Sequence, residues 1–242
     1  MNREYFKWKS PHLKRDMELL VFGHAGAPVL FFPTRTARFY DYENWKVIDA
    51  ISEKINKGWL QVYCVDSIDL ESFYCTCSHP SQRIIRHIQY EEYIVKEVMP
   101  LIKYKNHNSY IVSAGCSLGA YHAINIAFRH PHLFSKAVGM SGRYDLTLKT
   151  NNFSDLFDCY QDENIYFNMP VQYMPNLTDE HLIGLIKKIQ IVLAVGKEDP
   201  FLPNNQFLHN TLLKKGIANT LHIWEGEAHR PRFWQQMVQY FL

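Results

Sequence analysis

The stretch "SYIVSAGCSLGAYHAINIAFRHP", Ser109–Pro131, holds the pattern on which the reading of this chain turns. "SYIVSAG" is an apolar run of strand character, and "LGAYHAINIAFRH" carries its apolar residues at helical spacing. Ser117 stands at the junction, bracketed by Gly115 and Gly119. Glycine is unfavourable inside regular structure, so two of them around one serine imply a sharp backbone turn that side chains would obstruct.

Outward from this junction the chain alternates between two periodicities. On the N-terminal side, "DMELLVFG" and "APVLFF" are strand candidates separated by "HAGA" and read as a hairpin. "ENWKVIDAISEKI" has helical spacing of Trp45, Ile48, Ile51 and Ile55; "LQVYCVD" reads as a buried strand, and "SQRIIRHIQYEEYIVKEVMPLI" as one long helix. On the C-terminal side, strands "KAVGMSG", "IQIVLAVG" and "TLHIWEG" alternate with helices "NQFLHNTLLKKG" and "RFWQQMVQYFL". Continuously apolar strands separated by helices predict an α/β fold with a mostly parallel sheet covered on both faces. Working residues in such sheets lie in loops beyond the carboxyl ends of the strands, which is where Ser117, Asp199 and His229 fall.

A length of 242 residues suits one α/β domain spanning 1–242, and no repeat or low-complexity linker divides it. With 47% hydrophobic and 21% charged residues and a net charge of +2, the composition supplies no electrostatic case for nucleic acid or a membrane surface. The opening "MNREYFKWKSPHLKRDMELL" has no apolar signal core, and the five cysteines are odd in number and irregularly spaced. Reduced thiols and a cytoplasmic setting are therefore expected. "YCTC" lacks a second Cys/His pair at ligand spacing, so neither a metal nor another cofactor is expected.

"GCSLG" matches G-x-S-x-G, a nucleophile elbow when a strand precedes it and a helix follows. Such a turn lifts the Ser117 hydroxyl clear of the backbone and aims the first N–H groups of the helix, Leu118 foremost, at a developing oxyanion. Cys116 is expected to pack away from Ser117. A serine hydroxyl needs a base, and the base needs an acid that fixes its tautomer. In "IQIVLAVGKEDP" a buried strand ends at Gly196 and presents Asp199, which is preferred to Glu198 because Pro200 holds the residue before it extended. Of the histidines beyond it, His209 falls in a helical pattern and His222 in the last strand, whereas His229 follows that strand in a loop. The second oxyanion donor is expected from Thr34, Arg35 or Thr36 in the loop after "VLFF". Arg35 and Arg38 are candidates for binding a substrate anion, Arg38 with a local pairing to Asp41 or Glu43 as the commoner behaviour of such charges.

With "GCSLG", "GKEDP" and "EAHRPRFWQQM" in place, the chain resembles the putative-esterase family of the α/β-hydrolase superfamily, which includes S-formylglutathione hydrolase, enterochelin and feruloyl esterases and the mycolyltransferases. It looks closest to a bacterial subgroup without an assigned substrate. The resemblance extends over nearly the whole chain, through "RDMELLVFGHAGAPVLFFPT", "RFYDYEN" and "GWLQVYCVDS". It implies an α/β-hydrolase fold without a large cap domain, with Ser117 as nucleophile, His229 as base, Asp199 as orienting acid, and Leu118 with the Thr34–Thr36 loop as oxyanion hole. The implied activity is cleavage of small carboxylic esters through an acyl-enzyme. A thioesterase or acyltransferase with the same triad is the near alternative, and a hydrolase-like binding protein the alternative of another class. From the aromatic-rich connection after Asp145, Tyr160, Tyr166 and Phe167 are candidates for contacting the substrate.

Overall fold

The computed structural model describes residues 1–150 and 152–242. Its centre is an eight-stranded sheet in the order β1-β2-β4-β3-β5-β6-β7-β8. The strands are β1 (Arg3–Lys9), β2 (Asp16–Phe22), β3 (Ala27–Phe32), β4 (Leu60–Val65), β5 (Val112–Cys116), β6 (Lys136–Met140), β7 (Gln190–Gly196) and β8 (Asn219–Trp224). The pairs β1–β2 and β2–β4 are antiparallel, and every pairing from β4 to β8 is parallel. The expected α/β architecture, mostly parallel with an N-terminal hairpin, is thus observed.

The hairpin, however, is made by β1 with β2, not by β2 with β3. β4 lies between β2 and β3 and pairs with both. The short link between β2 and β3 steps across the chain that enters β4, and a Cβ on Gly26 would meet the Trp59 carbonyl carbon at 2.2 Å. Those glycines mark a close crossing of backbones, and a tight two-strand turn carries the same local signal.

The buried strands show why their sequences read as continuously apolar. In β3, Val29 and Phe31 face one side of the sheet, while Leu30 and Phe32 face the other. β2, β4 and β7 divide in the same alternating way, as the two-residue period of a strand requires. Helices α1 (Asp41–Asn44), α2 (Ser52–Asn56) and α10 (Pro231–Phe241) cover one face. The opposite face is covered by α3 (Pro80–Tyr93), α4 (Met99–Lys105), α5 (Leu118–Arg129), α6 (Glu163–Phe167), α7 (Pro170–Asn176), α8 (Glu180–Ile186) and α9 (Leu202–Lys214). Eleven residues of α5, Leu118 to Phe128, are buried, because this helix lies between the sheet and α7.

The single long helix expected from Ser81 onward is interrupted. α3 runs into a wide turn of π type over Ile94–Val98 before α4 begins. Pro100 lacks an N–H and its ring crowds the carbonyl four residues back, and the widened turn accommodates both effects. The helix expected over "ENWKVIDAISEKI" is likewise broken into α1, a short 3-10 turn and α2, with Lys46 at φ 60° between them.

Candidate active site

Ser117 adopts φ 58° and ψ −119°, a left-handed conformation rare for a residue with a side chain. The two glycines explain how the chain tolerates it. A Cβ on Gly115 would lie 2.2 Å from the carbonyl carbon of Gly119, and one on Gly119 would lie 2.3 Å from the Phe32 oxygen at the end of β3. Strand, turn and helix are therefore packed backbone against backbone. The Ser117 N–H donates to Met140 O at 2.8 Å, tying the turn to β6. Tyr42 Oη donates to Phe32 O at 2.8 Å and accepts from the Cys116 N–H at 3.0 Å, clamping the ends of β3 and β5 together. Cys116 is fully buried on the α10 side of the sheet, and burial pushes its thiol pKa up, which suits packing rather than chemistry.

His229 Nε2 lies 2.9 Å from Ser117 Oγ, and His229 Nδ1 lies 2.8 Å from Asp199 Oδ2. With Nδ1 protonated toward the carboxylate, Nε2 is left as acceptor for the serine hydroxyl. Asp199 is buried, whereas Glu198 beside it is exposed. The second carboxylate oxygen of Asp199 accepts from the Phe201 N–H at 2.9 Å, which fixes the plane of the group. The loops carrying acid and histidine are joined: Lys197 N donates to Trp224 O at 2.7 Å and Glu198 N to Gly226 O at 3.0 Å. Ala228, at φ 51°, gives its carbonyl to Ser141 Oγ, which in turn accepts from Trp234 Nε1 at 3.1 Å, so α10 and β6 orient the histidine loop. His209 instead contacts Asn219 and His222 packs on Phe241.

The Thr34–Thr36 loop offers fewer free backbone donors than the sequence suggests. Thr34, Arg35, Ser117 and His229 line one cleft of about 320 Å³. The Thr36 N–H donates to Asp69 Oδ2 at 2.7 Å, so it is engaged within the protein. Among the described residues, Leu118 N–H, Thr34 N–H and Arg35 N–H have no acceptor. Asp69 is buried beside His122 and holds the loop from beneath. Nothing in the sequence near "DSIDLESFY" distinguished this carboxylate from the others, because its value lies in a contact across 33 positions.

The other expected contacts lie elsewhere. Arg38 pairs with neither Asp41 nor Glu43 through its guanidinium: Nε donates to Asp66 and Nη2 to Glu18, each at 2.8 Å, and only its backbone N–H reaches Asp41. Tyr160 packs edge-on to His79. Tyr166 and Phe167 line a separate cavity of about 450 Å³ together with Phe128, Arg129 and Leu182, and Ser117 is not in its wall. The residues of that connection that do reach the cleft are Asn152 and Phe153, the latter with its ring centroid 5.8 Å from that of His229. Its neighbours Glu227, Arg230 and Trp234 also line the cleft. A connection with many aromatics and no periodicity carries no local signal for which ring turns inward.

Among the described residues, no group of three or more His, Cys, Asp or Glu side chains is placed to hold a metal, and no helix is long and apolar enough to cross a membrane.

Comparison with known proteins supplies a context for this geometry. A family model described as "Putative esterase" matches residues 43–240. No curated protein sequence matches the chain. Among solved structures, a ferulic acid esterase superposes with a TM-score of 0.77 at 16% identity, covering 99% of this chain and 95% of that one. A substrate-bound fluorophosphonate-binding serine hydrolase of Staphylococcus aureus gives 0.67 at 15% identity, over 99% and 96%. MPT51 of Mycobacterium tuberculosis gives 0.72 at 13% identity, again over 99% and 96%. At these identities the likeness establishes the fold.

Proposed function

The chain belongs to the putative-esterase family, and on that premise we propose that it is a serine hydrolase cleaving small carboxylic esters through an acyl-enzyme on Ser117. The observation that carries the proposal is the unbroken relay Asp199–His229–Ser117, with contacts of 2.8 and 2.9 Å, at the mouth of an open cleft. Ser117 Oγ attacks the ester carbonyl as His229 Nε2 takes its proton, and Asp199 stabilises the imidazolium that results. The carbonyl oxygen becomes an oxyanion that receives hydrogen bonds from Leu118 N–H and from Thr34 or Arg35 N–H. Collapse expels the alcohol, which leaves with the proton from His229. Water, deprotonated by the same histidine, then attacks the acyl-enzyme, releases the acid and restores Ser117.

Intact-mass measurement after exposure to a fluorophosphonate tests this reading, with wild type, Ser117→Ala and His229→Ala in parallel. One adduct on wild type and none on either variant is the expected result. A well-folded wild type that takes up no label and turns over neither esters nor thioesters would leave a hydrolase-like binding protein as the better account.

A further inference from the structure

A second cavity, of about 440 Å³, adjoins the Ser117 cleft, and Arg35, Asn152 and Phe153 line both. Its charged lining is Arg35, Arg83 and Arg143 against Asp155 and Asp158. Arg83 is paired with Asp158 at 2.9 Å and donates to the carbonyls of Ser78 and Leu156. Both Asp155 oxygens are occupied by backbone N–H groups, those of Phe157 and Cys159. Arg35 and Arg143 are thus left without a carboxylate.

Arg143 is the more telling of the two. It is only 2% exposed. Its Nε and Nη2 donate to the carbonyls of Asp145, Leu146, Leu148 and Ser154, which gather the loop around it. Its Nη1, with two further N–H groups, has no carbonyl or carboxylate acceptor among the described residues; the Tyr74 phenol is a neighbour in the lining of the same cavity. No carboxylate forms an ion pair with this buried guanidinium; burial lowers its pKa and outweighs the opposing pull of Tyr74, Asp145 and Asp155 nearby. Arg35 makes no ion pair among the described residues; it neighbours the Tyr74 phenol and lies 5.5 Å from the Phe153 ring centroid, with Arg143 5.6 Å from the same ring. Phe153 in turn lies against His229. Tyr74 lines the cavity too, and its phenol feels the charges of both arginines.

Resting on the hydrolase reading, we propose that this cavity receives a carboxylate at the far end of the substrate's acyl group, bound between Arg35 and Arg143 with the Tyr74 hydroxyl as a further donor. The acyl end is assigned because His229 must protonate the leaving oxygen, and the cleft on its side runs to Glu227, Arg230 and Trp234. Arg35 belongs to the opposite wall, in the loop that offers oxyanion donors. Substrates of this class are half-esters of short dicarboxylic acids, matched by guanidinium N–H pairs.

The test compares kcat/KM for the p-nitrophenyl half-ester of adipic acid with that for p-nitrophenyl heptanoate, a neutral chain of similar length. The expected result is a preference for the half-ester of about tenfold or more at low salt, narrowing as ionic strength rises. In Arg35→Gln and in Arg143→Lys the ratio of the two values should fall toward one. Arg35→Gln removes a guanidinium that is in no ion pair and neighbours the rings of Phe153 and Tyr74, so it carries the test even if Arg143→Lys fails to fold. Equal turnover of both esters by wild type, or a preference unchanged in Arg35→Gln, overturns the anion site and leaves the hydrolase reading standing. Turnover of neither ester, with no fluorophosphonate adduct, overturns both.

Discussion

Replacing Gly119 by alanine should disable the site from a position that contributes no functional group. The added Cβ would stand 2.3 Å from Phe32 O, 2.7 Å from Pro33 O and 3.0 Å from the Phe32 carbonyl carbon. Ordinary contact begins near 3.5 Å, so strand end and helix start must separate by about 1 Å. The atoms that have to move belong to backbone on both sides. On one side is the turn bearing Ser117 and Leu118, and on the other is the chain entering Thr34 and Arg35, so the displacement falls between the two halves of the proposed oxyanion hole. A misplacement of about 1 Å costs roughly a hundredfold in rate, and overpacking of this kind costs about 1–3 kcal/mol of stability. The assay is the second-order rate of fluorophosphonate labelling, with thermal unfolding measured on the same samples. Gly119→Ala should label about a hundred times more slowly while its Tm falls by roughly 2–12 °C. Gly184→Ala is the control: no atom lies within 4 Å of its added Cβ, and helix propensity there should raise stability by up to about 1 kcal/mol with labelling unchanged. Wild-type labelling by a folded Gly119→Ala would refute the reasoning that this glycine holds the site's two halves in register.

Three further outcomes are expected. Asp199→Asn, which preserves shape but favours the wrong histidine tautomer, should lower ester turnover about 10³- to 10⁴-fold without a comparable loss of Tm; a loss below tenfold would count against the relay. Asp69→Ala, which releases the Thr36 N–H, should lower kcat about ten- to a hundredfold, whereas an unchanged kcat would show that the loop holds its place without this carboxylate. Acid should destabilise the fold in two stages, read as Tm against pH. Burial, reinforced by the neighbouring His122, holds the His87 pKa at about 3 instead of 6.5, so only the unfolded chain takes up that proton as pH falls from 6.5 toward 3, and stability drops over that range. Burial opposes ionisation of Glu91, but His130 and Arg129 outweigh it and bring its pKa to about 2 from 4.5; its contribution, about 3 kcal/mol, is present above pH 4.5 and lost as pH falls toward 2. His87→Phe should flatten the decline between pH 6.5 and 4.5, and an unaltered slope there would show that His87 is not its source.

Strand and helix order, the elbow around Ser117 and the choice of Asp199 and His229 were all legible in the chain itself. Each depends on local signals: an apolar run of strand length, a glycine where backbones approach, a proline after the acid, a loop histidine after the last strand. Sequence order also restricted the histidine to the few that follow Asp199, and position relative to strand and helix eliminated His209 and His222. Other features have no local signature. β2 and β3 are neighbours in sequence but separated in space by β4, because strand pairing is a contest among distant segments and the glycines that permit the crossing look like those of a hairpin. Thr34, Arg35 and Thr36 are equivalent by sequence, and only the carboxylate of Asp69, 33 residues on, removes one of them from the oxyanion side. Phe153 became part of the cleft, in place of Tyr160, Tyr166 and Phe167, because carbonyls gathered by Arg143 set the path of the loop that carries it. The sequence alone thus pointed to the serine, histidine and aspartate that the fold brings together, since backbone turns and chain order encode them locally. What surrounds those groups, and so what they can act on, was decided by contacts between residues that only the folded chain brings together.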